Sequence, residues 1–501
     1  MPAVRSSRSA PGKRGPATAT LRADVLASFV VFLVALPLCV GIAVASGVPA
    51  ELGLITGIVG GLVVGVLPGS SLQVSGPAAG LTVLVHEAVD TYGLAALGAI
   101  TLLAGLLQIG LGLLHLGRWF RAISLAVVQG MLAGIGLVIV LGQVYALADT
   151  AQPSGGLRKI AELPSLARSV VSGGSALTAF LVGAVTVAVL VLWPKLPSRF
   201  RVVPAALAAV ALSTAATAVF HLNVAKVHVS GLLHAVDVPG TAAFGDLGGL
   251  AAVGTVLAFA LIASAESLFS AAAVDRMHDG PRTDYDKELL AQGVGNTVSG
   301  ALGALPLTAV IVRSAANVQA GARTSASRVL HGVWLLLFAA LLPGVLSVIP
   351  LTALAGVLVH AGCKLIPVKE LAPLWREHRG EALVLAATAT CILITNLFEG
   401  VLFGLLLSLV KTAWDTSRLH IEVRTLTGGR LLAVLTGNAT FLRLPRILEQ
   451  LESLPRDRPI ELDLTGLRHL DHACRTALES WAPRHSVAGT EPVRVRLPVG
   501  L

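Results

Sequence analysis

Charge is what this sequence has least of. Only 13% of its 501 residues are Asp, Glu, Lys or Arg, while 54% are apolar and the mean hydropathy is +0.80. A soluble globular domain is about 25% charged and roughly 45–50% apolar. Half the usual charge over this length excludes a soluble enzyme of ordinary type, and the apolar content excludes a disordered chain. The net charge of +9 would suit a nucleic-acid binder, but charge in the body of the chain is too sparse for one. No nucleic-acid partner is expected, and the basic excess calls for a topological explanation in a lipid bilayer. Patterned cysteine is lacking as well. Cys39, Cys363, Cys391 and Cys474 lie far apart, with no C-x-x-C pair and no zinc spacing, which argues against a disulfide framework or a metal site and leaves free buried thiols. Because Cys474 has no partner cysteine and HLDHAC lacks ligand spacing, an intrinsic zinc-dependent hydration activity is disfavoured and no catalytic residue is assigned.

What charge there is falls unevenly. Residues 1–415 hold 44 of the 65 charged side chains, a density of 11%, and residues 416–501 hold 21 in 86 positions, or 24%. A membrane domain over 22–415 is therefore followed by a small cytosol-like domain over 416–501. Residues 1–21 are basic, rich in Ser, Pro and Ala and free of acids; they read as a disordered cytoplasmic arm. The apolar run after Arg22 is too long for a signal peptide.

Apolar runs bounded by charge, Pro and Gly give fourteen spans, at about 24–46, 52–67, 77–90, 94–116, 121–141, 172–193, 203–220, 248–274, 287–304, 307–320, 329–348, 351–366, 380–396 and 398–414. With the N-terminus inside, the cytoplasmic arm and loops hold 19 Lys and Arg and the outer loops hold four, Arg158, Lys159, Arg168 and Lys226. That asymmetry requires both termini in the cytoplasm and a multi-pass protein of the cytoplasmic membrane.

Two segments are wrong for simple spans. Pro77–Asp90 offers fourteen residues, about 21 Å of helix against roughly 30 Å of hydrocarbon. Leu307–Ala320 is equally short, and each follows a Gly-rich second segment. They are the third and the tenth spans, hence third in each set of seven. Short, Gly/Pro-interrupted segments at matching positions point to an inverted-repeat transporter with its site at the midplane; two Pro-kinked ordinary helices are the alternative. Half-helix N-termini meeting there offer free N–H groups and positive dipole ends. Ser75, Gly76 and Thr308 would add hydroxyls and close backbone approach, and Arg313 would lie two turns into the second half-helix. These electrostatics favour an anion, unless Arg313 snorkels to the headgroups. Glu266 is the only charge between Asp246 and Asp275. It could pair with Arg313, carry a proton, or help hold a sodium ion with Ser267 and Ser270. His86, Glu87, Glu51 and Glu399 fall near predicted outer edges and read as solvated.

The stretches ADVLASFVVFLVALPLCVGIAVASG, SLQVSGPAAGLTVLV, SAESLFSAAAVD and LPLTAVIVRSAANVQAGA resemble the SulP family of anion transporters, over about residues 22–490. The resemblance implies an all-α polytopic body of fourteen spans in 7+7 inverted repeats, divided into core and gate domains as in uracil permease. It implies an anion site on Ser75, Gly76, Pro77 and Ala78, on Leu307, Thr308, Ala309, Val310 and Ile311, and on Arg313, with the eighth-span carboxylate at Glu266. A homodimer is expected, and no cofactor beyond a coupling sodium ion. The tail resembles the α/β STAS domain that closes such chains, with ELDLTGLRHLD as its most recognisable piece. It looks short at Leu501, and after Asp471 it runs His-Ala-Cys where a phosphorylated switch would use Ser. A packing or dimerisation role is therefore expected of it. VSGPAAGLTVLV and VRSAANVQAGA are most similar to the bacterial subgroup linked to carbonic anhydrase, which implies bicarbonate as substrate and a functional link to that enzyme. Sulphate, other anions and a channel remain as alternatives. Ala309 and Ile311, where a hydroxyl would be wanted, weaken the transfer of a sodium site.

Overall fold

Each of the fourteen apolar runs contains a helix. The computed structural model describes residues 17–118, 124–153, 155–197, 203–228, 231–232, 234–245, 247–426, 429–485 and 493–496. Residues 1–16 of the basic arm, with Arg121, Arg199 and Arg201 of the predicted cytoplasmic loops, lie outside these; residues 17–21 already belong to the first helix.

In the first half, α1 (Ala17–Ala45) is followed by α2 (Ala50–Val59), which ends in one wide turn, Gly60–Val64. Strand β1 (Ser75–Pro77) leads into α3 (Thr82–Tyr92), and α4 (Leu94–Leu113) and α5 (Leu125–Leu147) cross next. Two short helices, α6 (Gly156–Ala161) and α7 (Leu163–Val171), precede α8 (Ser175–Leu192) and α9 (Ala205–Val219). The second half repeats the order. After the short α10 (Thr241–Gly245) come α11 (Leu250–Val274), α12 (Tyr285–Ala301), strand β2 (Leu307–Ala309) and α13 (Ile311–Gln319). Then follow α14 (Ala326–Leu341), the four-residue α15 (Pro343–Leu346), α16 (Leu351–Leu365), α17 (Val368–Glu377), α18 (Arg379–Ile394) and α19 (Leu397–Thr416). A strand thus precedes the third membrane helix of each half. The strands pair antiparallel, so the chain enters the two half-helices from opposite directions, as an inverted repeat requires.

The half-helices are shorter than the sequence suggests. Residues 75–77 and 307–309 are strands, and α3 and α13 begin only at Thr82 and Ile311. Pro77, with its fixed φ and missing N–H, and the extended Val310 (φ −110, ψ 115) keep the helices from starting earlier. Their 11 and 9 residues amount to about 16 Å and 14 Å, so together they cross the bilayer about once.

Small residues set the spacing where lipid supplies no hydrophobic drive between helices. On α4, Gly98, Gly105 and Gly112 form a heptad stripe against α12, where added β-carbons would collide with Gly300, with the Thr297 backbone N–H and with Leu290. A second group forms where α5 lies along α16 and α18, with α8 and α9 against α16.

The chain divides into two compact units between Gly404 and Leu405, inside α19 rather than after it. The last turns of α19 are tied to the tail: Asn438 Nδ2 donates to the Thr416 carbonyl at 2.7 Å, and the Arg443 guanidinium stacks 4.2 Å over the Trp414 ring. The tail itself is the expected small α/β unit. Its sheet runs β3 (Leu419–Thr425), β4 (Leu431–Ala439), β5 (Ile460–Leu470), β6 (Arg494–Arg496), with β3–β4 antiparallel and the other pairs parallel. Helices α20 (Leu444–Glu452) and α21 (His472–His485) bury Ile447, Leu451, Leu478 and Trp481 in a core with Leu435 and Leu462. Asp471 accepts from Cys474 N at 2.7 Å and Phe441 N at 2.5 Å. Burial, then a hydrogen bond and the negative charge at Asp471, push the Cys474 thiol up to about 12. It is a core group and not a reactive one.

Gly105 and Gly110 lie on the same helix in opposite surroundings, since an added Cβ at Gly110 meets nothing within 4 Å. Gly105→Ala should therefore destabilise the protein by about 1–3 kcal/mol, while Gly110→Ala should leave stability unchanged or slightly raised. Thermal unfolding in detergent checks both.

Candidate anion-binding site

The polar groups of β1 and β2 lie deep in the membrane unit, where each must find a partner. Ser75 pairs with Ala309, Gly76 with Thr308 and Pro77 with Leu307, and Val310 N donates to the Val74 carbonyl at 2.9 Å. Side chains complete the pairing. Asn296 clamps Leu307 from α12, its Oδ1 accepting from the backbone N–H at 2.7 Å and its Nδ2 donating to the carbonyl at 3.0 Å. The same Nδ2 reaches Gln108 Oε1 at 2.7 Å, and Gln108 Nε2 in turn donates to Ser264 Oγ at 3.1 Å. Val74 N donates to Ser314 Oγ at 2.9 Å, and Asn317 Nδ2 donates to the Leu72 carbonyl at 2.9 Å. Gln292 Nε2 donates to Ser75 Oγ at 2.8 Å and to Glu288 Oε1 at 2.7 Å, and Glu288 Oε2 accepts from Ser70 N at 2.8 Å.

The starts of both half-helices line one cavity. Ala79 and Gly80 enter it from the turn before α3, and Val310, Ile311 and Val312 from the start of α13. Glu266, Phe269 and Ser270 come from α11, and the opposite wall is apolar, built from α5 (Val128, Met131, Leu132, Ile135) and α16 (Ala361, Leu365). First-turn N–H groups of a helix have no intrahelical acceptor, so this space meets positive dipole ends from two sides. Glu266 is the only charged side chain among the described residues that line it. The carboxylate lies so close to Gly80 that an added Cβ there would come within 2.7 Å of Oε1, and Oε2 has no hydrogen-bond partner among the described residues. A buried, unpaired carboxylate must be neutralised by a proton or a cation.

The predicted site residues divide accordingly. Val310, Ile311, Glu266 and Ser270 line the cavity; Ala79, Gly80, Val312 and Phe269 join them as residues the sequence reading missed. Ser75, Gly76, Pro77, Ala78, Leu307, Thr308 and Ala309 form or flank the strand pair behind it. The Ser75 hydroxyl is taken by Gln292, and Ser267 Oγ accepts from Ala309 N at 3.2 Å. Thr308 is fully buried. Arg313 is not two turns into its half-helix: α13 starts at Ile311, which makes it the third residue. It does not snorkel, being 0% exposed, and it forms no ion pair with Glu266. Its guanidinium lies against Gly76 and beside Cys39, outside the cavity lining. Glu51, read as solvated, is buried, and His86 lies 3.5 Å from Asp90. A signal for the strand clamps was present: Glu288, Gln292, Asn296 and Ser299 form a polar stripe along one face of the ninth span.

Comparison with known proteins agrees with this architecture. A sequence profile described as the sulfate permease family matches residues 21–388. The chain is 30% identical to the putative sulfate transporter YvdB of Bacillus subtilis, over 79% of this chain and 75% of that one. It is 26% identical to the bicarbonate transporter BicA of Picosynechococcus sp., over 80% and 72%. Among solved structures, the murine Solute Carrier 26 family member A9 anion transporter shares the fold, with a TM-score of 0.76 at 14% identity over 96% of this chain and 86% of that one.

Arg313 carries a buried charge without an ion-pair partner among the described residues, so its worth to folding is small, and its guanidinium lies against Gly76 of β1, next to the half-helix starts. Arg313→Met should keep or raise the melting temperature and weaken the apparent affinity for a transported anion about tenfold, which is about 1.4 kcal/mol. Melting curves and concentration-dependent uptake test the pair. A lower melting temperature with unchanged affinity would make Arg313 a structural residue.

Proposed function

Because this chain belongs to the sulfate permease family, we propose that it is a secondary transporter moving bicarbonate across the cytoplasmic membrane by alternating access, with sodium or a proton as the coupling ion. One observation carries the reading: two oppositely directed half-helices begin at a single cavity where Glu266 is the only charged side chain among the described residues. Each helix start is worth about half a positive charge. Two of them balance one ionised carboxylate and leave nothing for an anion. With Glu266 neutralised by a proton or sodium, about one positive charge remains, enough for a monovalent anion. Anion and coupling ion then bind together because each removes the other's electrostatic penalty, which is roughly 3 kcal/mol for unit charges 5 Å apart at an effective dielectric of 20.

The walls fit a two-body cycle. Residues of α1, the turn before α3, α11 and α13 face the apolar side chains of α5 and α16 across the cavity, so relative movement of the two groups would open it to one side or the other. The Lys and Arg asymmetry supports cytoplasmic termini. Sulphate is the second reading. Arg313, a further buried positive charge close to the strand pair, would help match a divalent anion, and the likeness to YvdB favours it.

Proteoliposomes containing the full chain test the proposal, with radiolabelled bicarbonate and sulphate supplied under imposed sodium or proton gradients. Bicarbonate should accumulate against its gradient when one of the two cations runs inward. Glu266→Gln should abolish that accumulation while leaving exchange down the anion gradient. Sulphate accumulation alone would favour the second reading. A Glu266→Gln protein that still concentrates its anion with the same cation dependence would remove the carboxylate from the coupling.

A further inference from the structure

The C-terminal unit holds a basic cleft that anion transport does not use. The end of α19, strand β3, the turn before α20, the first turn of α20 and the far part of β5 bring Arg418, His420, Arg443, Arg446 and Arg468 around one hollow, with Asp415 as the single acid among the described residues that line it. Asp415 is already engaged, 2.9 Å from Lys411 Nζ and 3.5 Å from Arg418 Nη2. The Arg446 and Arg468 side chains have no ion-pair or hydrogen-bond partner among the described residues. Four guanidinium groups against one carboxylate leave about three positive charges uncompensated.

The hollow is built into the fold. The β4–β5 register slips between Val434 and Thr436 and again between Gly437 and Asn438; the short paired stretch between these two irregularities supplies Thr436, Gly437 and Gly466 to the lining. Gly437 adopts φ +106, a conformation costly for other residues, so the opening depends on it. Arg443 is held in place by Trp414 beneath its guanidinium and by a 3.3 Å hydrogen bond from Nε to the Ser417 carbonyl. These are features of a preorganised anion site rather than of a solvated charge run.

We propose that this cleft binds a phosphate group. Guanidinium forks match tetrahedral oxyanions in geometry and charge, and several around one hollow suit a group with more than one negative charge. Two sources present that chemistry. A lipid headgroup is within reach, because Lys411 and the half-exposed Trp414 lie in the last turns of the final membrane helix, the residue types that mark a bilayer surface. A soluble phosphate compound would enter the same hollow from water.

The test uses the intact protein in detergent and two probes, short-chain phosphatidylglycerol and inorganic pyrophosphate, with binding read by native mass spectrometry and by the shift in melting temperature. At least one probe should bind. Arg446→Gln/Arg468→Gln should weaken it about tenfold or more, whereas Arg456→Gln/Arg458→Gln, an equal charge change at exposed positions outside the cleft, should not. Preference for phosphatidylglycerol assigns the lipid source, and preference for pyrophosphate the soluble one. Failure of both probes at millimolar concentration, or equal weakening by the two double substitutions, would overturn the proposal. Because the readout is binding at the C-terminal unit, it stands or falls independently of which anion is transported.

Discussion

Two strands of three residues each carry the weight of this membrane unit. A half-helix that begins inside a bilayer leaves peptide groups without partners in a medium where each costs several kcal/mol. Here β1 and β2 satisfy one another, and backbone groups they leave over, in the strands or beside them, are taken by side chains from α11, α12 and α13: Ser267, Asn296, Ser314 and Asn317, while Gln292 holds the Ser75 hydroxyl. The polar groups of the ninth and tenth spans, uncomfortable in a lipid-facing helix, are thereby spent on holding two helix ends at mid-membrane.

Function follows from what those ends face. Had α3 and α13 been continuous spans, their dipole ends would lie at the membrane surface, screened by water and salt. Started midway, they direct two positive ends at a cavity otherwise lined by apolar side chains, Ser270 and one carboxylate. In the proposed cycle Glu266 makes the cavity conditional: ionised, it would cancel the attraction for anions, and neutralised, it would release it. On the same proposal Arg313 would add to that field, its guanidinium occupying the room that Gly76 leaves.

The sequence made the architecture legible because hydropathy and Lys/Arg asymmetry are properties of whole segments. All fourteen runs correspond to helices, and matched short spans pointed to the broken pair. The site was harder to read at residue level. Gly/Pro-rich approaches told that helices were interrupted, but not that 75–77 and 307–309 would pair as strands, because pairing joins residues more than 200 apart. The later start of α13 moves Arg313 from the second turn to the first, and its guanidinium packs against Gly76 and beside Cys39, outside the cavity lining. Ser75 and Thr308 looked like ligands because hydroxyls in apolar segments often are; the structure uses Ser75 to receive Gln292 and buries Thr308. Glu51 was misread as solvated because its segment edge, judged by hydropathy, does not reveal what packs over it.

The claim that both half-helix starts form one anion site is tested most directly by substituted cysteines at Ala79 and Val310, introduced singly in a background lacking the exposed Cys363. A small thiol reagent should modify both, and saturating bicarbonate with sodium should slow both reactions together, while a cysteine at Ser75 should stay unreactive throughout. Protection of one position without the other, or of Ser75→Cys instead, would contradict a shared site at the two helix starts.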